Sequence, residues 1–599
     1  MKYFYIFILI INATFAQYVP RSPYLQDPSK AIPYVDSCAD FWTGVYDSTF
    51  GGFYTNVDRY GNVIVSWGTN KDLITQSRDA YGFVRAYMLT GNQNYLTMAR
   101  HALDFMYAHA WDSTHDGWYH SIDRFGNPIN PTDVKTAFDQ HYALLGIAAY
   151  YEATRDTNDW NHLIQGYNSS ENHLWDNDPQ SFGYFDNGTY DWSYVSDKSF
   201  NATVDAITTN VLELYLLTGD NVYKNKLIQL ADNILTHLYG SMSQQTIGFV
   251  EEYQSDWSWN NNETMTIMGH VLKSGWCLGR INQLIPDPAY VNAAEDLIAD
   301  VYNNGYDHEL GGPYKDFNRV TGEMLMWGQA DTAKAWWQME QAVTAGLMMY
   351  NITGEQQYLQ MADETLSFFM TYFVDHQYGE VYSDRTRYGG QIWGLEKGNN
   401  GKAGYHSIEL GYYTYLYGNL FFKGQPVTLY YNFEPENNDR EINMNPLAFA
   451  ASAYRIKEVK KGGTVYNDYN ADDRILHLPA GSGGEFKVTY ELTNPVYVKN
   501  INADKPDFHL NQNYPNPFNP VTTISFSISE RSSVSLKVYD LLGKEVSVLV
   551  NEEKNAGTYN VSFDGSRLAS GVYLYRLRTD TGSEFSGNSV ETRKMLLLK

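Results

Sequence analysis

The 599-residue chain contains only two cysteines, few basic residues and almost no long apolar run. Cys38 and Cys277 lie far apart in the sequence, which predicts two buried thiols rather than a disulfide. The 43 Lys and Arg residues stand against 69 Asp and Glu, and the net charge is -26. This acidity excludes nucleic acid and anionic membrane as partners, because both bind basic surfaces. Beyond the N-terminus no stretch is apolar for long enough to predict a transmembrane segment.

The one apolar run lies at the start of the chain. It follows Lys2 and ends in the small-residue sequence Ala13-Thr14-Phe15-Ala16. This order is typical of an export signal that is cleaved near Gln17. Residues 1–16 are therefore predicted to be a signal peptide.

A short signature of glycine followed by aromatic or apolar residues recurs along the next 400 residues. The intervals between successive glycines are 64 to 67 residues. The six signatures begin at Gly52, Gly117, Gly183, Gly248, Gly312 and Gly379. A constant period of this length indicates one supersecondary unit used six times.

Between the signatures, helical patterns meet at a glycine. In Leu89-Thr90-Gly91-Asn92 and Ile352-Thr353-Gly354-Glu355, a helix of about 20 residues ends at the glycine and a second pattern with apolar residues three and four apart begins at once. Each unit is thus two helices and a hairpin. We favour a closed ring, an (α/α)6 toroid over residues 17–423, because no end repeat shows the extra polar face of an open solenoid.

Two β regions follow the helical repeats. Alternating apolar and polar residues, as in Val427-Thr428-Leu429-Tyr430-Tyr431, predict a small β module over residues 424–495. A polar linker, 496–510, precedes a third region. Residues 511–599 contain further alternating segments and predict an all-β sandwich.

The same offset from each signature glycine identifies candidate site residues, because the inner helices of a ring would point their hairpin-side ends at one mouth. The residues at 22 to 27 positions after a glycine are Arg78, His141, Asp205, His270, Trp336, Gln338 and His406. Aromatic side chains are frequent nearby, including Trp276, Trp393 and Tyr405. Rings beside polar groups suit a sugar, whose C-H faces stack while its hydroxyls form hydrogen bonds.

The last region resembles the C-terminal sorting domain of type IX secretion cargo. The resemblance rests on Tyr514-Pro515-Asn516-Pro517-Phe518-Asn519-Pro520, Gly571-Val572-Tyr573 and the basic and apolar end Lys594-Met595-Leu596-Leu597-Leu598-Lys599. It implies the type IX secretion machinery as a partner. The protein is then expected outside the cell or attached to its surface.

The helical region resembles the N-acylglucosamine 2-epimerase family over residues 25–423. The motifs are Gln76-Ser77-Arg78, Gly269-His270, Trp336-Trp337-Gln338-Met339-Glu340 and Lys402-Ala403-Gly404-Tyr405-His406. The resemblance implies an (α/α)6 barrel with the essential arginine at Arg78 and two acid/base histidines at His270 and His406.

Three positions depart from the family pattern. The third inner helix carries no histidine, so that role is lost or taken by Asp205. Lys273 stands where the family commonly has Glu, and Glu409 stands where it commonly has Arg. Because each lies three residues after a candidate histidine and shares its helix face, we predict that Lys273 and Glu409 pair with each other.

Three functions are compatible with these residues. The first is a sugar epimerase or aldose-ketose isomerase that moves the C2 proton of a ring-opened reducing mono- or oligosaccharide, with Arg78 stabilising the enediolate and the histidines transferring protons. The second is a glycoside hydrolase with paired carboxylates, chosen from Asp205, Glu251, Glu252 and Glu340. The third is a sugar-binding protein without activity.

No cofactor or metal is expected, because the sequence has neither a phosphate-binding glycine loop nor a ligand cluster at metal spacing. The expected substrate is neutral, since phosphorylated sugars are scarce outside the cell. The predicted substrate-binding residues are His141, Asp205, Lys273, Trp276, Trp336, Gln338, Glu340, Trp393, Tyr405 and Glu409.

Overall fold

The computed structural model describes residues 18–326, 329–450, 452–493, 508–510, 513, 516–528, 532–540, 543–554, 557–580 and 589–599. The predicted signal peptide and most of the predicted linker lie outside these residues. The chain divides into two compact units, one up to residue 498 and one from residue 499 onward. The first unit holds both the helical repeats and the small β module.

Twelve long helices occur in the described part of the first unit, with odd numbers on the outside of the barrel and even numbers inside. In chain order they are Ala31–Thr43 (α1), Leu73–Thr90 (α2), Gln93–His109 (α3), Ala137–Thr154 (α4), Thr157–His173 (α5), Asn201–Asp205 with Ile207–Val211 and Leu212–Thr218 (α6), Asn221–Asn233 with Ile234–Tyr239 (α7), Met268–Leu284 (α8), Pro288–Asn304 (α9), Trp336–Thr353 (α10), Gln356–Tyr372 (α11), and His406–Tyr417 with Gly418–Lys423 (α12). Short helices cover Pro23–Gln26, Pro28–Lys30, Val65–Trp67 and Met242–Gln244. The first two segments of α6 are π-helical.

The predicted closed ring is confirmed. The inner helix α2 packs against α4 on one side and α12 on the other, and α12 packs against α10 and the first outer helix α1. The closure is tight at Gly82, where an added Cβ would lie 2.4 Å from the carbonyl oxygen of Gly404. At the opposite end of the barrel, Gly91 caps α2 in the left-handed conformation with φ 73°, as the turn between the two helices requires.

The hairpins that join each outer helix to the next inner helix contain short strands. The antiparallel pairs are Lys71–Asp72 with Ser121–Ile122, Lys135–Thr136 with Asn187–Gly188 and then Val195–Ser196, Trp175–Asp176 with Gly183–Tyr184, Lys198–Ser199 with Glu252–Tyr253, Met265–Ile267 with Asp316–Asn318, Leu325–Met326 with Gln329–Ala330, and Lys334–Ala335 with Asp384–Arg385.

Buried lysines fix five of these hairpins to the rest of the barrel. Each lysine forms an ion pair of 2.6 to 3.2 Å with an aspartate of the preceding turn. The pairs are Lys71 with Asp47, Lys135 with Asp112, Lys198 with Asp176, Lys334 with Asp307, and Lys397 with Asp375. The fourth hairpin is held by neutral hydroxyl groups instead. Ser241 accepts a hydrogen bond from the amide of Val250 at 2.9 Å, and Thr266 accepts one from the amide of Phe249 at 3.3 Å.

The small β module consists of two antiparallel sheets. Its strands are Val427–Phe433 (β1), Arg440–Asn443 (β2), Tyr454–Lys461 (β3), Thr464–Val465 (β4), Tyr469–Asn470 (β5), Ile475–Leu478 (β6) and Gly484–Leu492 (β7). The sheet orders are β1-β7-β3-β4 and β2-β6-β5. The module covers the end of the barrel opposite the hairpins: Asn443 on β2 donates to the carbonyl of Leu217 at 3.0 Å, and the Glu434 amide donates to that of Thr154 at 2.8 Å.

The second unit is an antiparallel β sandwich, as predicted. Its strands are His509–Leu510 (β8), Val521–Ile528 (β9), Ser532–Tyr539 (β10), Glu545–Lys554 (β11), Gly557–Asp564 (β12), Gly571–Asp580 (β13) and Ser589–Leu597 (β14). They form the sheets β8-β9-β12 and β11-β10-β13-β14. Phe526, Leu536 and Tyr575 lie in the core between them.

Cys38 and Cys277 are buried free thiols, as the sequence predicts. None of the helices in the described residues combines the length and apolarity that crossing a bilayer requires.

Candidate active site

A cavity of about 290 Å³ opens at the hairpin end of the barrel. It is lined by Arg78, Phe138, Tyr142, Phe200, Asn201, Asp205, His270, Lys273, Trp336, Trp337, Gly401 and His406. These residues come mainly from the first turns of the inner helices, where side chains from separate repeats converge. The structure thus brings Arg78, His270 and His406 to one hollow.

Arg78 on α2 is held in place by a backbone contact and by aromatic rings. Its Nη1 donates to the carbonyl of Gly401 at 2.8 Å, and its guanidinium carbon lies 4.4 Å from the centre of the Tyr142 ring. The side chain is buried, yet neither its Nε nor its Nη2 donates to any residue that the structure describes. The guanidinium therefore keeps unused donors beside the cavity.

His270, near the start of α8, is oriented by a carboxylate and by a ring. Its Nδ1 lies 2.8 Å from Oε2 of Glu251, whose other oxygen accepts the Ile267 amide at 2.8 Å. The imidazole stacks on Phe200 with 3.8 Å between ring centres and 15° between planes. Because Nδ1 is engaged, the opposite nitrogen, Nε2, stays available for proton transfer.

His406, the first residue of α12, has a similar but more deeply buried arrangement. Its Nδ1 lies 3.2 Å from Oε2 of Glu340, and the second oxygen of Glu340 accepts from Thr344 at 2.6 Å. Burial, followed by the charges of Arg78 and Lys273, holds the pKa of His406 well below its usual range. The imidazole is therefore neutral at neutral pH, which is the form that accepts a proton.

The pKa of the carboxyl group next to His406, that of Glu340, is shifted in the opposite direction. Glu340 is fully buried on α10, and burial together with the neighbouring charge of Glu409 raises its pKa well above the usual value. Oxygen and nitrogen atoms of Glu340, Glu409 and His406 lie within 4.8 Å of one another. Four cations, Arg78, Lys273, Lys402 and Arg280, act on this cluster, which disfavours a metal ion there.

The contacts of Lys273 contradict its predicted pairing with Glu409. Its Nζ lies 2.5 Å from Oδ1 of Asp205 on the neighbouring helix α6, and 3.4 Å from the Tyr142 hydroxyl. Glu409 on α12 instead accepts from Tyr81 on α2 at 2.8 Å. The prediction that Lys273 pairs with Glu409 is therefore wrong, because Asp205 on the adjacent inner helix supplies a nearer carboxylate.

The start of α6, which carries Asp205, is π-helical. Asn201 and Asp205 both line the cavity, and both belong to the π-helical segment Asn201–Asp205. Such wider turns are often found at functional sites. Burial of Lys273 opposes its charge, but the Asp205 carboxylate more than offsets this and the pKa of Lys273 is raised.

Seven of the ten predicted binding residues lie outside the cavity lining, among them Trp276, His141 and Trp393. Trp276 is buried deeper on α8, where its Nε1 donates to Gln341 at 2.6 Å. His141 packs against Tyr184, and burial lowers its pKa to about 3. Trp393 lies on the sixth hairpin with 63% of its surface exposed. Their roles in binding stay predictions without support from this geometry.

Three others support the site from behind or beside it. Gln338 accepts the amide of Gly269, next to His270, at 3.0 Å. The Tyr405 ring lies 4.2 Å from that of His406. Trp336 lines the cavity directly.

The offset rule missed several lining residues and one carboxylate. Phe138, Tyr142, Phe200 and Trp337 line the cavity, and each lies within five residues of a position that the rule selected. Extending the rule by five residues on either side of each selected position would have found them. The sequence predicts Glu251 only as a carboxylate for hydrolysis, whereas its place on the hairpin before α8 makes it the partner of His270.

Comparison with known proteins gives two family matches. The model of the N-acylglucosamine 2-epimerase family matches residues 52–409, and that of a secretion system C-terminal sorting domain matches residues 512–587. The chain is 23% identical to the cellobiose 2-epimerase of Eubacterium cellulosolvens over 391 residues, which cover 60% of this chain and 89% of that protein. It is 23% identical to the cellobiose 2-epimerase of Ruminococcus albus over 373 residues, covering 59% and 88%.

Solved structures show the same barrel. Cellobiose 2-epimerase from Spirochaeta thermophila has a TM-score of 0.56 at 23% identity, covering 66% of this chain and 96% of that one. A D-mannose isomerase has a TM-score of 0.58 at 19% identity, covering 66% and 99%. At these identities the likeness shows the fold.

Proposed function

Because this chain belongs to the N-acylglucosamine 2-epimerase family and is a carbohydrate epimerase of the isomerase class, we propose that its barrel inverts C2 of a ring-opened reducing sugar through an enediolate. The observation that carries the proposal is the convergence of Arg78, His270 and His406 on one cavity. The cavity volume of about 290 Å³ is at the small end of the range for ligand sites, which suits one sugar unit.

Arg78 stabilises the negative charge that develops when the C2 proton leaves. A carbon acid beside an aldehyde is far too weak for imidazole unless the oxyanion is stabilised by fixed donors. The guanidinium is already oriented by Gly401 and Tyr142, so its free N-H groups need little reorganisation to bind the enediolate oxygens.

The two histidines transfer the proton on opposite faces. They come from different inner helices, and each is oriented through Nδ1 by its own carboxylate. Both imidazoles lie near the ring of Trp337, whose centre is 5.3 Å from that of His270 and 6.1 Å from that of His406. One imidazole removes the C2 proton while the other, protonated, returns a proton from the far side, and the roles exchange in the reverse direction.

This arrangement favours epimerisation over aldose-ketose isomerisation. Moving a carbonyl from C1 to C2 requires only one base on one face of the enediolate. Inversion at C2 requires a base on one face and an acid on the opposite face. Two separately supported imidazoles beside one cavity match the second requirement.

The paired-carboxylate alternative has little support in the geometry. Of the four carboxylates considered for hydrolysis, only Asp205 lines the cavity, and it is ion-paired with Lys273. Glu251 and Glu340 orient the histidines, and the side chain of Glu252 is exposed on a hairpin strand. A hydrolase needs two carboxyl groups that flank one bond.

The substrate that fits best is a neutral reducing oligosaccharide. The curated relatives are named cellobiose 2-epimerases, which suggests a disaccharide or its longer homologues. The type IX sorting domain supports export to the outside of the cell, where released oligosaccharides are available. A role for the type IX machinery as a partner is part of this proposal.

The direct test is exchange in heavy water. The full chain is incubated with cellobiose or mannobiose in D₂O, and NMR is used to look for deuterium at C2 of the reducing unit. We expect deuterium at C2 of both epimers and their interconversion. Loss of activity in Asp205→Asn with His270→Asn and His406→Asn fully active would instead support hydrolysis.

A further inference from the structure

A second, open groove of about 620 Å³ lies beside the cavity on the hairpin face. Trp67, Asn130, Asp133, Asn400 and His120 are among the residues that line it. Its volume is about twice that of the cavity. The groove is thus large enough for more sugar than the cavity can hold.

The groove adjoins the cavity along two segments of the chain. Asn400 lines the groove, and the next residue, Gly401, lines the cavity and accepts the hydrogen bond from Arg78. On the other side, His120 in the groove bonds Asp139 at 2.9 Å, and the neighbouring Phe138 lines the cavity. A ligand chain that leaves the cavity between these segments enters the groove.

The groove presents the groups that recognise hydroxyls and sugar faces. Trp67 is 53% exposed at the end of the short helix Val65–Trp67, and its indole N-H donates to no residue that the structure describes. The side chains of Asn130, Asp133 and Asn400 likewise form no hydrogen bond within the described residues. An open aromatic face beside free amide and carboxylate groups suits a carbohydrate.

The charges of the groove select against anionic ligands. Hydrogen bonding to Asp139 raises the pKa of His120 to about 9, so this pair carries no net charge at neutral pH. Asp72 and Asp133 add negative charge, and they would repel a phosphate or a uronic acid carboxylate.

We propose that this groove binds the glycosyl units beyond the reducing end of a neutral oligosaccharide whose reducing unit occupies the cavity. The inference rests on the proposed function for the identity of the reacting unit. Trp67 provides the stacking platform, and Asn130, Asp133 and Asn400 bind hydroxyls.

The kinetic test uses the full chain with cellobiose and cellotetraose. We expect the wild-type kcat/KM for C2 epimerisation to be higher for cellotetraose. Trp67→Ala should lower it about tenfold for cellotetraose, the change that ~1.4 kcal/mol of lost stacking produces, and less for cellobiose. The matched control is Tyr388→Ala, an aromatic that is 70% exposed on the sixth hairpin and lines neither the groove nor the cavity. It should leave both values unchanged.

Two kinetic outcomes would overturn the proposal: equal losses on both substrates in Trp67→Ala, or the same loss in Tyr388→Ala.

A binding measurement separates this proposal from the proposed function. Calorimetric titration with cellotetraose should show about tenfold weaker binding to Trp67→Ala than to wild type. If no C2 exchange occurs with any sugar but cellotetraose still binds more weakly to Trp67→Ala, the proposed function is wrong and the proposed role of the groove in binding is retained. Equal binding to both proteins would refute the groove.

Discussion

The ion pair between Lys273 and Asp205 gives a prediction with a definite magnitude. The two side chains are 3% and 2% exposed, and their charged atoms are 2.5 Å apart. At an effective dielectric constant of about 20, two unit charges at this distance attract by about 7 kcal/mol, and desolvation of both groups cancels much of this gain. Replacing only one partner leaves the other charge buried and uncompensated.

We therefore expect Asp205→Asn and Lys273→Met each to lower the free energy of unfolding of the barrel by about 3 to 5 kcal/mol. The double variant should lose less than the sum, by at least about 1.5 kcal/mol, because removing both charges leaves neither one uncompensated. A parallel cycle with Glu409→Gln and Lys273→Met should show a smaller coupling, since Glu409 bonds Tyr81.

Urea unfolding followed by tryptophan fluorescence is the suitable assay. All 14 tryptophans lie between residues 42 and 393, so the signal reports the barrel and excludes the C-terminal unit. Additive effects of Asp205→Asn and Lys273→Met, or a stronger coupling of Lys273 to Glu409, would refute the assigned pairing.

Three further predictions concern the site and the ring. Arg78→Lys should reduce kcat about 10²- to 10³-fold in steady-state assays, because a lysine lacks the guanidinium donors that stabilise the enediolate; an unchanged kcat would contradict this role. In the direction in which His406 removes the proton, the acid limb of kcat/KM should lie below pH 6.5, since burial and nearby cations lower the pKa of His406, and Lys273→Met should move it to higher pH; a limb that stays fixed would contradict this coupling. Gly82→Ala should destabilise the barrel by about 1 to 3 kcal/mol in the urea assay, because its Cβ would lie 2.4 Å from a backbone oxygen, while Gly44→Ala, with 3.4 Å to its nearest contact, should be tolerated.

The repeat architecture was predictable because the backbone at each signature requires one residue type, glycine. The signature glycines adopt positive φ, for example 70° at Gly52 and 94° at Gly312, a region that other residues rarely enter. The period therefore survives in the sequence even where the flanking residues differ. The five buried ion pairs leave a similar signal in the sequence, because five of the six signatures have an aspartate before them and a lysine after them.

The site was predictable along each helix but not across the ring. A common offset placed Arg78, His270 and His406 in one cavity because all inner helices begin at the same end. The partner of Lys273 depended on which inner helices are neighbours and on the π-helical turns that position Asp205, and neither can be read from spacing. Trp393 belongs to a hairpin whose path is independent of the helix offset.

The central claim is that two imidazoles face opposite sides of one carbon, and single-histidine exchange tests it most directly. His270→Asn and His406→Asn are each incubated in D₂O with cellobiose and, separately, with its C2 epimer, glucosylmannose. We predict that neither variant interconverts the sugars, and that each still exchanges the C2 hydrogen of one epimer only, with opposite epimers for the two variants. Exchange of the same epimer by both variants, or full epimerisation by either, would contradict the account.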